Sequence, residues 1–174
     1  MELKVMKESF MENILIRQLD NNSSEMIKEL KVNEFQSAFI ETSADCLDDF
    51  KNNAYSIRWS ISGVYFDTQL IGFAMHGQWK FRFLPYRQVW LDRFMIDAKY
   101  QGKGYGKRAL QLLIPQMYDK YHCKKIYLSS KEANVYAIKL YEDLGFKKTI
   151  FKDPQGERIM TRKKKTDART GMVD

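Results

Sequence analysis

Cysteine and histidine are scarce, with two of each in 174 residues. Cys46 and Cys123 stand far apart and without metal-ligand spacing. Neither a disulfide framework nor a zinc site is expected, and both thiols read as small core hydrophobes in a reducing compartment. His76 and His122 also lack a neighbouring Cys, His or carboxylate at ligand spacing, so no metal is expected and both are assigned core or surface roles. No apolar run approaches the length of a membrane span, and "MELKVMKESFMEN" carries acids and lacks the apolar core of a signal peptide. The expected location is cytoplasmic, with no membrane partner. Repeats and low-complexity linkers are absent as well, and this length suits a single domain with a core of its own.

Charge is present but uneven. Between Asp20 and Asp49, eight acids face only Lys28 and Lys31, which leaves this stretch at −6; with the whole chain at +7, the remainder carries +13. Part of that excess lies in "TRKKKTDARTGMVD", which has almost no apolar content and reads as a solvated tail. The basic balance alone would admit a nucleic-acid-binding module. Against it, no aromatics interleave with a basic stripe and no reading motif occurs.

The order of elements follows from periodicity and punctuation. "NILIRQLD" reads as a strand, and helical pattern runs from Ser24 to about Phe39. A shorter helix over "ADCLDDFKN" has Ser43 as its cap. Three strands follow, "YSIRWSISGVYF", "LIGFAMHGQW" and "QVWLDRFMI", with a loop around Pro85 before the last. After Gly106, the apolar positions Ala109, Leu110, Leu113, Ile114, Met117 and Tyr121 recur at helical steps, and Pro115 inside that run predicts a kink or a register change. "KKIYLSS" is a strand, a helix runs from Asn134 to Leu144 and closes at Gly145, and "FKKTIFKD" with "ERIMTRK" forms a final hairpin. The class is mixed α/β.

One junction carries chemistry of its own. Between a strand and a helix, "YQGKGYGK" places Gly102, Gly104 and Gly106 on alternate positions. Bare backbone there lets several N–H groups and the positive end of the helix dipole converge, an arrangement suited to an anion and most often to phosphate. The triphosphate loop G-x-x-x-x-G-K-[ST] does not fit, because Arg108 follows Lys107 and position 101 is glutamine. The dinucleotide fingerprint fails too, since its third glycine would fall on Lys107.

What does fit is Q-x-x-G-x-G, with Gln101, Gly104 and Gly106. This resembles the pyrophosphate loop of the GCN5-related N-acetyltransferases. "EANVYAIKLYEDLGF" is similar to a second motif of that family, N-x-x-A-x-x-x-Y-x-x-x-G-F, with Asn134, Ala137 and Tyr141 in the fixed positions. The resemblance runs from Asn13 to about Lys164. It implies one acetyltransferase domain over residues 13–164, with an N-terminal extension at 1–12 and a basic tail at 165–174. The implied fold is a central, mixed, mostly antiparallel sheet flanked by helices and splayed between its fourth and fifth strands. The implied co-substrate is acetyl-coenzyme A, bound by the loop residues Gln101, Gly102, Lys103, Gly104, Tyr105, Gly106 and Lys107, by Asn134 and Ala137, and by the backbone of Phe94, Met95 and Ile96. Within the family, "WLDRFMID" with "YQGKG", "IGFAMHG" and "KKIYLS" is most similar to bacterial spermine/spermidine acetyltransferases. That implies a polyamine acceptor and a homodimer, with acids of the first helical region, Glu34 and Glu41, on the substrate. The same cofactor machinery serves other acceptors, such as a protein N-terminus or lysine, an aminoglycoside or an amino acid.

Chemistry assigns two further roles. Asn134 and Tyr141 lie two helical turns apart, roughly 10 Å along one face, so a single helix can touch an elongated ligand twice. A cap role for Asn134 and a core role for Tyr141 are the plainer alternatives. A phenol of pKa about 10 is protonated at neutral pH and can donate to a departing thiolate, whose own pKa is about 8.5. The resemblance places Tyr141 near the thioester sulfur, which makes it the candidate general acid. The acceptor arrives as an ammonium of pKa near 10.4 and must lose a proton before it can attack. Strand alternation predicts Asp92 on a side with Trp90, Phe94 and Ile96 while Arg93 faces away, unpaired with it. Asp92 is then a carboxylate on an apolar face, suited to binding the ammonium and relaying its proton through water, or else to a salt bridge with another strand.

Overall fold

The structure is a computed structural model, and it describes residues 13–52, 58–80 and 87–165. The calls for the N-terminal extension, for the first residues of "YSIRWSISGVYF", for the loop around Pro85 and for nearly all of the basic tail lie outside the described residues. Seven strands form one sheet in the order β1-β2-β3-β4-β5-β7-β6. They are β1 (Ile14–Leu19), β2 (Arg58–Phe66), β3 (Gln69–Lys80), β4 (Arg87–Ile96), β5 (Lys125–Ser130), β6 (Lys147–Lys152) and β7 (Arg158–Lys163). Among the described residues three α-helices pack on it: α1 (Ser43–Lys51), α2 (Tyr105–Tyr121) and α3 (Val135–Asp143). Every strand pair is antiparallel except β4 with β5.

That exception shapes the molecule. The parallel pairing covers only Val89 with Ile126 and Trp90 with Tyr127, after which the two strands part. The predicted splay is therefore present. Crossing from β4 to a parallel β5 requires a long connection, and α2 supplies it.

The sheet has a core on each face. Leu110, Leu113, Ile114 and Met117 of α2 pack with Ala74, Leu91, Ile126 and Leu128 on one side. Ile27, Leu30, Cys46 and Leu47 cover Ile61, Phe73, Met75 and Met95 on the other. Both cysteines follow expectation: Cys46 is fully buried, its thiol pushed up to about 12 by burial, and Cys123 is half-buried against the first core. His76 is a core residue, bonded to Ser62 through Nε2 at 2.9 Å and to the Tyr121 hydroxyl through Nδ1 at 2.7 Å. Burial pulls it down to about 3, so it is neutral at physiological pH. Where β3 passes β4, Gly72 is required for contact: a Cβ there would lie 2.3 Å from the Met95 carbonyl oxygen.

Two local expectations are corrected. The helix expected from Ser24 to Phe39 is instead two 3-10 turns, Ser23–Glu29 and Glu34–Gln36, with Leu30 extended between them. The cause is tertiary. The N–H of Lys31 donates to the buried Asp97 carboxylate at 3.1 Å and its carbonyl accepts from Ala98 at 2.8 Å, so neither group is free for a helix. The cap of α1 is Thr42, in a reciprocal capping box with Asp45, while Ser43 sits inside the helix and donates to the Leu30 carbonyl. Pro115 lies inside α2, and helix continues on both sides of it. Pro115 and Gln111, whose carbonyl loses its partner, are both exposed, so water can serve that oxygen.

Candidate functional site

Where β4 and β5 part, a cleft of about 1150 Å3 runs between the start of α2 and the far end of the sheet. Its two ends are made differently.

At one end Gly102 and Gly104 adopt positive φ, 74° and 85°, and Gly104 is the residue from which α2 starts. The first N–H groups of α2 have no partner inside the helix, and the Gly102, Gly104, Tyr105, Gly106 and Lys107 segment lines the cleft. This is the backbone arrangement expected from the glycine spacing, of a kind suited to an anion. Gln101 also lines the cleft, and two residues of the loop engage their side chains within the protein. The Gln101 side chain is engaged within the protein: it donates to the Ile96 carbonyl at 2.7 Å and accepts from Asn33 at 2.9 Å, tying the loop to the end of β4. Lys103 is not among the cleft-lining residues, and its ammonium donates to the Lys99 carbonyl over the Tyr100 ring. Lys107 is paired with Asp143 of α3 at 3.1 Å, which fixes the two helices to each other beside the loop.

The edge of β4 forms the next stretch. The Asp97 N–H and the Met95 carbonyl both point toward β3, so alternation turns the peptide groups of Phe94 and Ile96 toward the gap. The Met95 backbone pairs with β3 and its side chain is in the opposite core, whereas Phe94 and Ile96 line the cleft. Asn134 caps α3, accepting from the Ala137 N–H at 3.2 Å. The cap uses only its side-chain oxygen, and Asn134, Ala137 and Tyr141 all line the cleft. Tyr141 meets Phe146 edge-on and is pushed up to about 12, by burial first and by the charge of Glu157 second. It therefore holds its proton across the physiological range.

At the other end the expectation about Asp92 and Arg93 is overturned. Met75 pairs with Arg93 and His76 with Leu91, so Asp92 is an extra residue, a β-bulge in β4. A bulge cancels the alternation of faces at that point. Asp92 and Arg93 thus lie on one side, and the guanidinium donates to the Asp92 carboxylate at 2.6 Å. Phe94 and Ile96 pack in the cores of the opposite face. Arg93 also donates to Glu41 through Nε at 2.8 Å and through Nη2, and to Asp49 at 2.8 Å. Three carboxylates share one guanidinium, a local charge of −2.

The Arg93 side chain is 14% exposed and that of Asp92 33%. Burial works to lower Arg93, but the surrounding carboxylates, Asp92 foremost, outweigh it and keep it protonated well above its ordinary range. Asp92 is raised above the usual carboxylate range by burial; Arg93 opposes this, and Glu41, Asp49 and Asp153 add to it. Of the two acids assigned from the first helical region, Glu41 is in the site and Glu34 is not: it is exposed and does not line the cleft. Sequence reasoning missed Asp49, Glu157, Trp59 and Trp79. Glu157, just before β7, lines the cleft near Tyr141 and is also raised, by burial and then by Asp153. No motif marks any of them; helix α1, a hairpin tip and the ends of strands bring them here.

Comparison with known proteins agrees with this geometry. The acetyltransferase (GNAT) family model matches residues 24–146. A spermine/spermidine N(1)-acetyltransferase of Bacillus subtilis (strain 168) is 38% identical over 156 residues, covering 86% of this chain and 98% of that protein. Among solved structures, an aminoglycoside acetyltransferase in complex with coenzyme A superposes with a TM-score of 0.68 at 17% identity, over 86% of this chain and 94% of that one. The spermidine N-acetyltransferase of Vibrio cholerae, with coenzyme A and spermine, gives 0.62 at 18% identity, over 86% and 95%.

Proposed function

The chain belongs to the acetyltransferase (GNAT) family, and from that premise we propose that it moves the acetyl group of acetyl-coenzyme A to a primary amine of a polyamine such as spermine or spermidine. The observation that carries the acceptor is the Asp92, Glu41 and Asp49 cluster around Arg93, a net negative patch at the mouth of the cleft. Exposed carboxylates draw a polycation by long-range attraction and hold its ammonium near the reacting carbon. The relative from Bacillus subtilis supports the same acceptor.

The co-substrate fits the other end. The α2 N-terminus and the Gly102 to Lys107 backbone suit its pyrophosphate, and the peptides of Phe94 and Ile96 suit the amides of its pantetheine arm, as a strand edge takes a peptide. Asn134 contributes its side-chain amide to the same arm. In the reaction the deprotonated amine attacks the thioester carbonyl, a C–N bond forms and the C–S bond breaks. Asp92 takes the ammonium and passes its proton to water; Tyr141 supplies a proton to the departing thiolate. The amine binds beside Asp92 and the thioester beside Tyr141, so attack occurs within a ternary complex.

A substrate panel tests the reading. With acetyl-coenzyme A, thiol release is expected with spermine and spermidine above diamines, and above lysine peptides, amino acids and aminoglycosides. Turnover of an aminoglycoside or a lysine peptide in preference to every polyamine would overturn the acceptor and leave the family chemistry standing.

A further inference from the structure

All three tryptophans of the chain line the cleft, and strand register shows how they come together. Trp59 of β2 pairs with Gly77 of β3, and Gly77 pairs with Trp90 of β4. Paired residues of neighbouring strands share a face, so the three form one row whose central position carries no side chain. Strands lie about 4.8 Å apart, which sets the backbones bearing the two outer indoles about 9.6 Å from each other. Gly77 is buried and does not itself line the cleft, so the row presents indole rather than backbone. Trp79, two residues along on the same face of β3, meets Trp90 edge-on with ring centroids 6.1 Å apart. Trp90 is stacked on Tyr127 at 5.5 Å, and these two residues are the last β4–β5 pair before the strands part. The aromatic wall therefore begins where the cleft opens, two residues from Asp92.

An indole face does two things for a ligand. It packs methylene groups, and its electron-rich ring attracts ammonium, with indole the best of the aromatic side chains. Beside it stands the Asp92, Glu41 and Arg93 cluster, which carries excess negative charge. A wall that takes methylenes and cations alike, next to carboxylates, matches a chain in which the two alternate. We infer that Trp59, Trp79 and Trp90 form the subsite for the part of a linear polyammonium acceptor beyond the reacting nitrogen, and that this wall sets the preference for chain length. The inference rests on the polyamine reading and extends it to the distal groups of the substrate.

The test compares full-length wild type with Trp59→Leu and Trp79→Leu on spermine, α,ω-diamines of increasing length and butylamine. For either variant kcat/KM on spermine is expected to fall about 10-fold, mainly through KM, while that on butylamine falls by less than about twofold. Trp90 is left intact, since its stacking on Tyr127 also supports the sheet. A second readout needs no turnover: with every tryptophan on the cleft, spermine should change the intrinsic emission of the wild type saturably. Equal losses on spermine and butylamine, or no saturable emission change, overturn the inference alone. A wild type that acetylates butylamine but no di- or polyamine overturns the substrate reading and this inference together.

Discussion

At the Gly104 end of the cleft the groups that face a ligand are peptide groups, set by two positive-φ glycines, a helix start and a strand edge. At the Asp92 end they are side chains, drawn from β2, β3, β4 and two loops. Backbone groups are the same in every residue, so an end built from them serves one invariant ligand and tolerates change in the side chains around it. An end built from carboxylates and indoles can be altered residue by residue. The division matches the proposed use of the two ends: one for a co-substrate common to the family, the other for an acceptor particular to the enzyme.

The largest effect is expected where the two ends meet. Tyr141→Phe keeps the ring against Phe146 and removes only the donated proton, so kcat should fall by roughly 10² to 10⁴ with little change in acetyl-coenzyme A affinity. Retention of kcat within about threefold would assign thiolate protonation to solvent or another group.

Next comes the backbone end. Gly104 has φ of 85°, which valine does not adopt, so Gly104→Val should lower acetyl-coenzyme A affinity by about 10- to 100-fold while the cores stay folded. Calorimetry on the purified variant decides it. Unchanged affinity would remove the glycine loop from the cofactor site.

A smaller and more selective effect is expected at the side-chain end. Asp92→Asn keeps shape and removes charge, so kcat/KM should fall more for spermine than for butylamine, with cofactor affinity preserved. Asp92 is raised, and it works as the anion; activity should therefore be lost as pH falls through a midpoint above the ordinary carboxylate value of about 3.9. That acid limb should be absent in the variant. Salt should weaken wild-type selectivity for spermine, because exposed carboxylates are screened within about 10 Å at 0.1 M. Equal losses on both amines would make Asp92 a general structural residue and dissolve the contrast between the two ends.

The chain itself determined what depends on local periodicity and on glycine. The seven strands, the amphipathic face of α2, the glycine turn before it and the Asn134 to Tyr141 spacing were all legible, because each is fixed by neighbours within a few residues. The tertiary structure decided the rest. Lys31 gave both backbone groups to Asp97 and Ala98, and the expected helix over residues 24–39 became two short turns. The bulge at Asp92 placed that carboxylate on the same side as Arg93, against strand alternation, and the same pairing with β3 turned the Met95 peptide away from the cleft. Glu41, Asp49 and the tryptophan row converged only through the register of β2, β3 and β4 and the docking of α1. Such contacts join residues far apart in the chain, and their geometry depends on which strand lies beside which and in what register, which local pattern does not encode.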